Sequence, residues 1–420
     1  MVEARSNAVS DFRKCGTDCA AKSSVERSSQ KGEAMPAAKT SRKKASARSS
    51  NGERPFTPDQ YLALDNKAAT KKMPSDLAEA AATRRVEIYS PGKDFDPREI
   101  IRQHNTSGTW ELNLPPGAGV GLPGRKSGRM SPAEIVRGIK GNASSSSLGE
   151  PFKPEWIDYT PHPKLSTASQ PLMRRVNGRW YEPHFGVFGA EDRQIYYPSG
   201  YPWTCIGRIA VWDDFSKPSP AWLGSGVLIG GRVVLTAGHI APWGSKNWAM
   251  QFIPAFYDGT STLGPGATSW VSDYWGYNTN QQESAWDMVV LRLYTPLGNT
   301  YGYFGAKTYD SDWEGGNYWT LAGYPAAVGN TNRPARQMWW PVLDDDSDGN
   351  ADELEYEADA TPGDSGGPVF GFWTRGPYAI ATHSGGAKST FLWWTVEDNN
   401  IGCGGSALPS LVAWARSNWP

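Results

Sequence analysis

Short apolar runs separated by Gly, Pro, Asn and Asp dominate the chain from about residue 187 onward. Apolar runs of this length, bounded by turn residues, are typical of β-strands. No long amphipathic helix interrupts them, and only 409–416 has helical spacing. Many short strands predict an all-β barrel or sandwich, and a length of roughly 230 residues favours two packed barrels. The predicted strands are 206–212, 226–229, 233–237, 248–253, 288–293, 319–324, 368–373 and 379–382.

The first 186 residues lack this regular pattern. Residues 1–54 are rich in Ser, Ala, Lys and Arg, so we expect a disordered basic segment. Residues 55–186 contain two predicted short helices, at 74–82 and 131–136, with Gly/Pro-rich and Ser-rich stretches around them. We expect this second part to be a propeptide-like or accessory extension, and 187–420 to be the main domain.

The balance of charge does not favour a polyanionic partner. The chain has 42 Lys and Arg against 43 Asp and Glu, which gives no reason to expect a nucleic acid or an anionic membrane as a partner. A nucleic-acid role for the basic run 39–44 is the minor alternative to a solvated charge run. No run of 18 apolar residues predicts a membrane helix, and the first residues lack the apolar stretch of a signal peptide.

The four cysteines do not follow the spacing of a zinc site. Cys15 and Cys19 have no second pair and no His nearby. In the C-terminal half, Cys205 and Cys403 are expected to form a disulfide, with two buried thiols as the alternative.

The stretch 363–368, Gly-Asp-Ser-Gly-Gly-Pro, has the composition of a loop that presents a nucleophile. The glycines allow a sharp turn, leave the Ser365 hydroxyl uncovered and place backbone N–H groups beside it. A nucleophilic Ser needs a base, and the base needs a partner that fixes its orientation.

Two residues of the β-rich region suit those roles. His239 follows the apolar run 233–235 in Thr-Ala-Gly-His, and Asp287 opens the apolar run 287–291. A carboxylate at the edge of an apolar strand needs a hydrogen-bond partner, and the N–H of a neutral His would serve. Considered alone, His239 would be interpreted as a core or surface His, and Asp287 as an Asp in a turn before a strand. Their order with Ser365 favours a catalytic triad.

These three motifs resemble the triad motifs of the chymotrypsin-like (trypsin-like) serine proteases, over about residues 187–420. Residues 187–193 and 201–203 resemble the mature N-terminal segment of the V8-like glutamyl endopeptidase branch. The resemblance implies two packed six-stranded antiparallel β-barrels with a C-terminal helix. It implies Ser365 as nucleophile, His239 as general base, Asp287 as orienting carboxylate, and an oxyanion hole formed by the N–H groups of Gly363 and Ser365.

The resemblance also implies a substrate pocket formed by Asp359, His383, Ser384 and Gly386. His383 matches the pocket His of glutamyl endopeptidases, whereas Asp359 lies six residues before Ser365, where trypsins place the Asp that binds Lys or Arg. We favour cleavage after acidic residues, although Ala360 stands where a pocket hydroxyl is expected. Trypsin-like Lys/Arg specificity is the alternative.

The acidic stretch 344–355 fits the pattern of a calcium loop, D-x-D-x-D-G-x5-E. Oxygen ligands at alternate positions and a closing Glu suit a hard cation. The flanks resemble strands, so an acidic hairpin tip is the alternative. A structural calcium ion is the one cofactor considered, and the reaction itself requires none. The predicted ligands are Asp344, Asp346, Asp348, Asp352 and Glu355.

The sequence therefore predicts a serine endopeptidase that acts on proteins or peptides as a monomer. We expect it to be secreted after an N-terminal extension is removed, although no signal peptide is visible. In trypsin-like zymogens a freed α-amino group pairs with the Asp before the nucleophile, here Asp364. A catalytically inactive binding protein on the same fold is the alternative from another class, and an intracellular protein with a protease-like domain is a third interpretation.

Overall fold

The computed structural model describes residues 53–83, 124–141, 148–166, 186–278, 285–391 and 394–420, with Leu122 and short strands between 88 and 120 and between 174 and 181. Residues Gly52–Pro420 form one compact unit. The compact unit therefore begins near residue 52, and the boundary expected at 187 lies inside it. The disorder expected for 1–54 falls almost entirely outside the described residues, as does the Ser-rich stretch 142–147.

The elements are as follows. The helices are α1 (Pro58–Leu62), α2 (Ser75–Ala82), α3 (Pro132–Arg137), α4 (Leu297–Tyr301), α5 (Ala326–Gly329) and α6 (Ala407–Asn418). The strands up to residue 195 are β1 (Ile88–Tyr89), β2 (Ile101–Gln103), β3 (Trp110–Leu112), β4 (Gly119–Val120), β5 (Lys126–Met130), β6 (Arg174–Val176), β7 (Arg179–Tyr181) and β8 (Gln194–Ile195). The next strands are β9 (Ile206–Trp212), β10 (Trp222–Leu228), β11 (Val233–Thr236), β12 (Ala249–Pro254), β13 (Phe256–Tyr257), β14 (Thr260–Ser261), β15 (Ser269–Tyr277) and β16 (Val289–Leu293). The last are β17 (Gly305–Ala306), β18 (Trp319–Gly323), β19 (Ala335–Trp340), β20 (Asp344–Asp348), β21 (Ala351–Tyr356), β22 (Pro368–Trp373), β23 (Gly376–Phe391) and β24 (Trp394–Cys403).

The first large sheet is a closed barrel. Its strand order is β12-β9-β10-β11-β16-β15, and β12 also pairs with β15, so six antiparallel strands close on themselves. Closure leaves these six strands no edge at β12 or β15. A seventh strand, β5, pairs parallel with β15 on the outside of the ring.

The second large sheet follows the order β20-β21-β24-β23-β22-β18-β19-β8, and β17 pairs with β23. In the described residues its path runs open from β20 to β8. The all-β, chymotrypsin-like fold and the C-terminal helix predicted from the sequence are confirmed, with one closed barrel and a second large sheet.

Two clusters of buried apolar residues form the core, a larger one that includes the barrel strands and a smaller one within the second sheet. Strand β11 is fully buried, as is most of β16, so neither alternates between polar and apolar residues. Aromatic rings fill the second sheet, where Trp319 and Trp373 are almost completely buried and their centroids lie 6.2 Å apart. Each such ring buries on the order of 200 Å² on folding, which makes this part of the core a main source of stability.

Parts of the extension before residue 187 belong to the larger of these two clusters. Tyr61 is 2% exposed and packs between the rings of His162, Trp339 and Phe372. Helix α3 begins with a capping box on Ser131 and lies against α6. Removing these pieces would uncover large apolar surfaces of the main domain.

The expected disulfide is absent, and this prediction was wrong. Cys205 and Cys403 are both buried thiols. The sulfur of Cys205 donates to the carbonyl oxygen of Tyr301 at 3.7 Å, whereas Cys403 contacts Ser384 and the backbone of Asp287. Burial raises the pKa of both thiols well above the ordinary value, which keeps them protonated and unreactive.

Among the described helices, none is long and apolar enough to cross a membrane.

Candidate active site

His239 lies where the first barrel faces the second sheet. Strand β11 ends at Thr236, and a short 3-10 turn, Gly238–Ile240, carries His239 out of the barrel. The backbone N–H of His239 donates to Oδ1 of Asp287 at 2.7 Å, and its ring Nδ1 lies 2.6 Å from Oδ2. A carboxylate only accepts hydrogen bonds, so this contact places the ring proton on Nδ1 and leaves Nε2 as an acceptor.

Asp287 is held in place by the barrel. Thr236 at the end of β11 pairs with Val289 at the start of β16, which brings Asp287 beside His239. The Asp287 side chain is completely buried, and the hydroxyl of Ser384 also donates to Oδ2. Three donors therefore surround this carboxylate and satisfy it away from water.

Ser365 lies on a tight turn between the two sheets. Gly363 has φ +105° and Gly366 has φ +81°, and a Cβ at either would lie within 2.3 Å of a neighbouring oxygen. The carbonyl oxygen of Ser365 accepts from the N–H of Ser225 on β10, and the N–H of Gly366 donates to the carbonyl of His383. The turn is thus bonded to both sheets, beside the segment that carries His239.

Within the described residues, no hydrogen bond joins the Ser365 hydroxyl to the His239 ring. Such bonds are often long in a protein without substrate and tighten when substrate binds. The structure therefore brings His239 and Asp287 into direct contact and places the Ser365 turn next to them.

Two backbone donors beside Ser365 remain available. In the described part of the chain, neither the N–H of Gly363 nor that of Ser365 donates to another protein group. The Ser225 hydroxyl donates to the carbonyl oxygen of Gly363 at 2.6 Å and accepts from the N–H of Tyr324 at 2.8 Å. That buried hydroxyl fixes the peptide between Gly363 and Asp364, and the sequence alone had not indicated its role.

Asp364 is buried and paired with a side chain. Its Oδ2 accepts from the Arg193 guanidinium at 2.6 Å and from the N–H of Thr361 at 3.0 Å. Burial raises the pKa of Asp364 to about 6, while the charge of Arg193 acts in the opposite direction. The carboxylate is therefore ionised at neutral pH and bonded to a cation that the sequence had not identified.

The pocket role predicted for Asp359 is contradicted by its contacts. Asp359 is completely buried, and its two oxygens accept from the N–H groups of Phe188 and Asp192, both at 2.9 Å. Its own N–H donates to the side chain of Gln337. Both carboxylate oxygens are used to anchor residues 188–192, so Asp359 is not available to bind a Lys or Arg side chain of a substrate.

The other three predicted pocket residues share strand β23. His383 is 4% exposed, and its Nδ1 lies 2.8 Å from the hydroxyl of Tyr356. Ser384 donates to Asp287, so it supports the carboxylate instead of lining a pocket, and Gly386 is only partly buried. Burial, followed by the charges of His239 and Arg193, lowers the pKa of His383 to about 3. His383 is therefore neutral at pH 7.

The pKa of His383 predicts how stability depends on pH. Unfolded, this His takes up a proton below about pH 6.5, whereas in the fold it stays neutral down to about pH 3. Its contribution to stability is complete above pH 6.5 and is lost as pH falls toward 3, by up to about 1.4 kcal/mol per pH unit. We expect urea unfolding of His383→Gln to show a slope of unfolding free energy against pH that is smaller by about this amount. Equal slopes in the two proteins would contradict the assignment.

The predicted calcium ligands do not come together. Residues 344–356 form a hairpin, β20 against β21, with Gly349 in its turn. Asp352 pairs with Ser347, which places it on the opposite face of the hairpin from the other four predicted ligands. The described residues contain no group of three His, Cys, Asp or Glu side chains that could hold a metal ion. The acidic hairpin, the alternative from the sequence, is what the structure contains. Three of the predicted ligands accept hydrogen bonds from other side chains instead: Asp348 from Trp286, Asp352 from Ser347 and Glu355 from Asn399.

Comparison with known families fits this geometry. The family model described as Trypsin matches residues 208–390, which include His239, Asp287 and Ser365. Residues 208–390 are a trypsin-family domain. The closed barrel, the second sheet and the triad motifs all fall within or next to this trypsin-family domain.

Two curated relatives are also similar to about half of the chain. A glutamyl endopeptidase from Bacillus licheniformis is 28% identical over 219 residues, covering 48% of this chain and 61% of the relative. A protein from Bacillus subtilis described as an extracellular metalloprotease is 24% identical over 230 residues, covering 51% of this chain and 68% of the relative. The first relative agrees with the predicted resemblance to the glutamyl endopeptidase branch, although the match spans less than two thirds of its length.

Solved structures also match. A Glu endopeptidase in complex with MPD has a TM-score of 0.42 and 19% identity, covering 55% of this chain and 98% of that one. The protease Anisep from Arthrobacter nicotinovorans has a TM-score of 0.36 and 17% identity, covering 51% of this chain and 93% of that one.

Proposed function

We propose that this protein is a serine endopeptidase in which Ser365 is the nucleophile, His239 the general base and then acid, and Asp287 the group that orients His239. The observation that carries the proposal is the buried Asp287 carboxylate, which holds both the backbone and the ring of His239 beside the Ser365 turn. This arrangement leaves Nε2 free to take the serine proton.

In the proposed reaction the Ser365 oxygen attacks the carbonyl carbon of the peptide bond, and its proton passes to Nε2 of His239. Collapse of the tetrahedral intermediate breaks the C–N bond, and His239 returns the proton to the leaving amine. Water then repeats these steps on the acyl-enzyme and releases the acid. The reaction uses groups of the chain itself and requires no cofactor.

The N–H groups of Gly363 and Ser365 are proposed to stabilise the oxyanion. Neither donates to a protein group within the described residues, and the Ser225 hydroxyl fixes the peptide between Gly363 and Asp364, which links the two donor residues. Donors held in place before the reaction stabilise developing charge without having to reorganise.

We propose cleavage after acidic residues, Glu above all. This rests on His383 and on the glutamyl endopeptidase among the relatives. Burial raises the pKa of Tyr356, so its hydroxyl stays protonated, and we propose that it donates to Nδ1 of His383. The neutral ring then carries its proton on Nε2, which is able to donate to a substrate carboxylate. Asp359 does not oppose this choice, because residues 188–192 occupy both of its oxygens.

The proposed substrates are proteins or peptides, and the proposed setting is outside the cell. The proposed setting is supported by a relative that is described as extracellular. All proposed catalytic residues come from one chain, so we propose that a monomer is active.

Two measurements test this function. We expect the folded protein to react with a fluorophosphonate probe and to lose that reaction after heat denaturation. On peptides that differ only in the residue before the cut, kcat/KM for Glu should exceed that for Gln and Arg by at least about 10-fold, since a site built to bind a polar group rejects analogues that lack it. Absence of labelling would support the inactive binding protein instead. Labelling with preference for Arg would leave the protease proposal standing and overturn the acidic specificity.

A further inference from the structure

The buried pair Arg193–Asp364 lies directly behind the Ser365 turn. Both side chains are 2% exposed, and Nη1 of Arg193 lies 2.6 Å from Oδ2 of Asp364. The second interaction of that nitrogen is with the hydroxyl of Thr361, at 2.9 Å. A buried ion pair is tolerated only with such close geometry and with its remaining polar atoms bonded.

The rest of the guanidinium is also fully engaged. Nε and Nη2 of Arg193 donate to the two carboxylate oxygens of Glu191, at 2.7 and 2.6 Å. This two-point contact fixes the plane of the guanidinium and leaves Nη1 directed at Asp364. The orientation of Arg193 is therefore set by its own segment before any substrate is present.

That segment is itself anchored. Asp359 accepts from the N–H groups of Phe188 and Asp192, and the N–H of Ala360 donates to the carbonyl of Gly186. The chain from 186 to 193 is thus bonded to the stretch 359–361, which leads into the Ser365 turn. The positive charge beside Asp364 therefore belongs to an internal side chain, Arg193, and not to a new N-terminus.

We propose that Arg193 is the positioning residue that sets the oxyanion turn, supplying Asp364 with the positive charge that a freed α-amino group would otherwise provide. This inference rests on the proposed function. It implies that the turn formed by Gly363, Asp364 and Ser365 is ready for catalysis in the uncut chain, and that cleavage before residue 193 is not the event that switches the enzyme on.

The geometry explains why the charge matters to the turn. Asp364 precedes the nucleophile, its carbonyl accepts from the N–H of Gly367, and its N–H donates to the carbonyl of Thr361. Without a cation, a carboxylate buried at this point favours a conformation that reaches water. Movement of Asp364 would carry along the N–H groups of Gly363 and Ser365, on either side of it.

The test compares variants of the full chain. Arg193→Met should lower kcat on a Glu peptide by about 100-fold with KM changed less than about 3-fold, as expected when oxyanion donors are displaced. Arg193→Lys keeps the charge and should recover at least about 10-fold of that loss. Arg333→Met is the matched control, because Arg333 makes a similar two-point contact with Asp258 far from the site in sequence and partly exposed. It should stay within about 2-fold of the unaltered chain.

A double variant separates folding from positioning. If Arg193→Met alone lowers the melting temperature, adding Asp364→Asn removes the unpaired buried charge and should restore it. We expect kcat of the double variant to remain at least about 10-fold low, because the turn still lacks its ionic contact. Full activity in Arg193→Met or in the double variant would overturn the inference.

The intact mass of the labelled protein completes the test. We expect the fluorophosphonate to label the uncut chain. Labelling confined to molecules that begin at a new terminus between residues 167 and 192 would overturn the inference while leaving the proposed function intact. If the unaltered protein is not labelled in any form, the proposed function itself fails.

Discussion

Replacing Ser365 with alanine should lower kcat by about a million-fold, because the variant has no atom that forms the acyl-enzyme. What remains is the stabilisation given by the two N–H groups at 363 and 365 and by substrate binding, which typically leaves a rate about 1,000-fold above the uncatalysed reaction. KM should change little, because the hydroxyl contributes mainly to the transition state.

The measurement is steady-state hydrolysis of a Glu peptide, together with fluorophosphonate labelling. Ser216→Ala is the control, since Ser216 is exposed and its hydroxyl bonds only locally to Asp214. Its kcat should be unchanged. Combining Ser365→Ala with His239→Ala should cost no more than Ser365→Ala alone, because the base has no proton left to take. More than about 1% residual activity in Ser365→Ala would rule out this serine as the nucleophile.

Local signals in the sequence were sufficient to predict the fold class and the position of the candidate site. Strands β9 and β22 lie where their apolar runs predicted them, and α6 extends the predicted helix by only two residues at each end. The helix predicted at 131–136 also forms, and it begins with a capping box between Ser131 and Glu134. These features depend on neighbours along the chain, so period and turn chemistry were sufficient to predict them.

Contacts between distant residues could not be predicted in this way. Asp359 matched a pocket position by its distance from Ser365, yet its partners are N–H groups about 170 residues earlier in the chain. Arg193 lies equally far from Asp364 in sequence, and nothing beside either residue indicates the other. Both outcomes are decided by which loops the barrel and the second sheet bring together.

The acidic hairpin shows a second reason why the sequence alone was not sufficient: a motif does not specify the backbone conformation. The spacing of residues 344–355 fits a calcium loop, but that pattern counts positions without specifying backbone conformation. With β20 paired to β21, successive side chains point to opposite faces, so Asp352 is separated from the other four predicted ligands. A loop pattern flanked by strand formers is therefore better interpreted as two strands and a turn.

Replacing Asp287 with asparagine should lower kcat by about 10,000-fold while leaving KM within a few-fold. The Asn amide is nearly the same size, so the fold should persist. Its NH₂ group would donate to Nδ1 of His239, which forces the ring proton onto Nε2, and a protonated Nε2 cannot accept the serine proton. The loss should appear both in peptide hydrolysis and in the rate of fluorophosphonate labelling, since each begins with the same proton transfer.

The matched control is Asp273→Asn on β15, another buried aspartate, which is bonded to Ser272 and Arg292. Its activity per folded molecule should stay within about 2-fold, because its partners lie outside the proposed site. A loss of less than about 10-fold in Asp287→Asn would show that His239 keeps its tautomer without the carboxylate. The N–H of His239 and the Ser384 hydroxyl, which also bond to Asp287, would then be the groups that hold residue 287 and the ring in place.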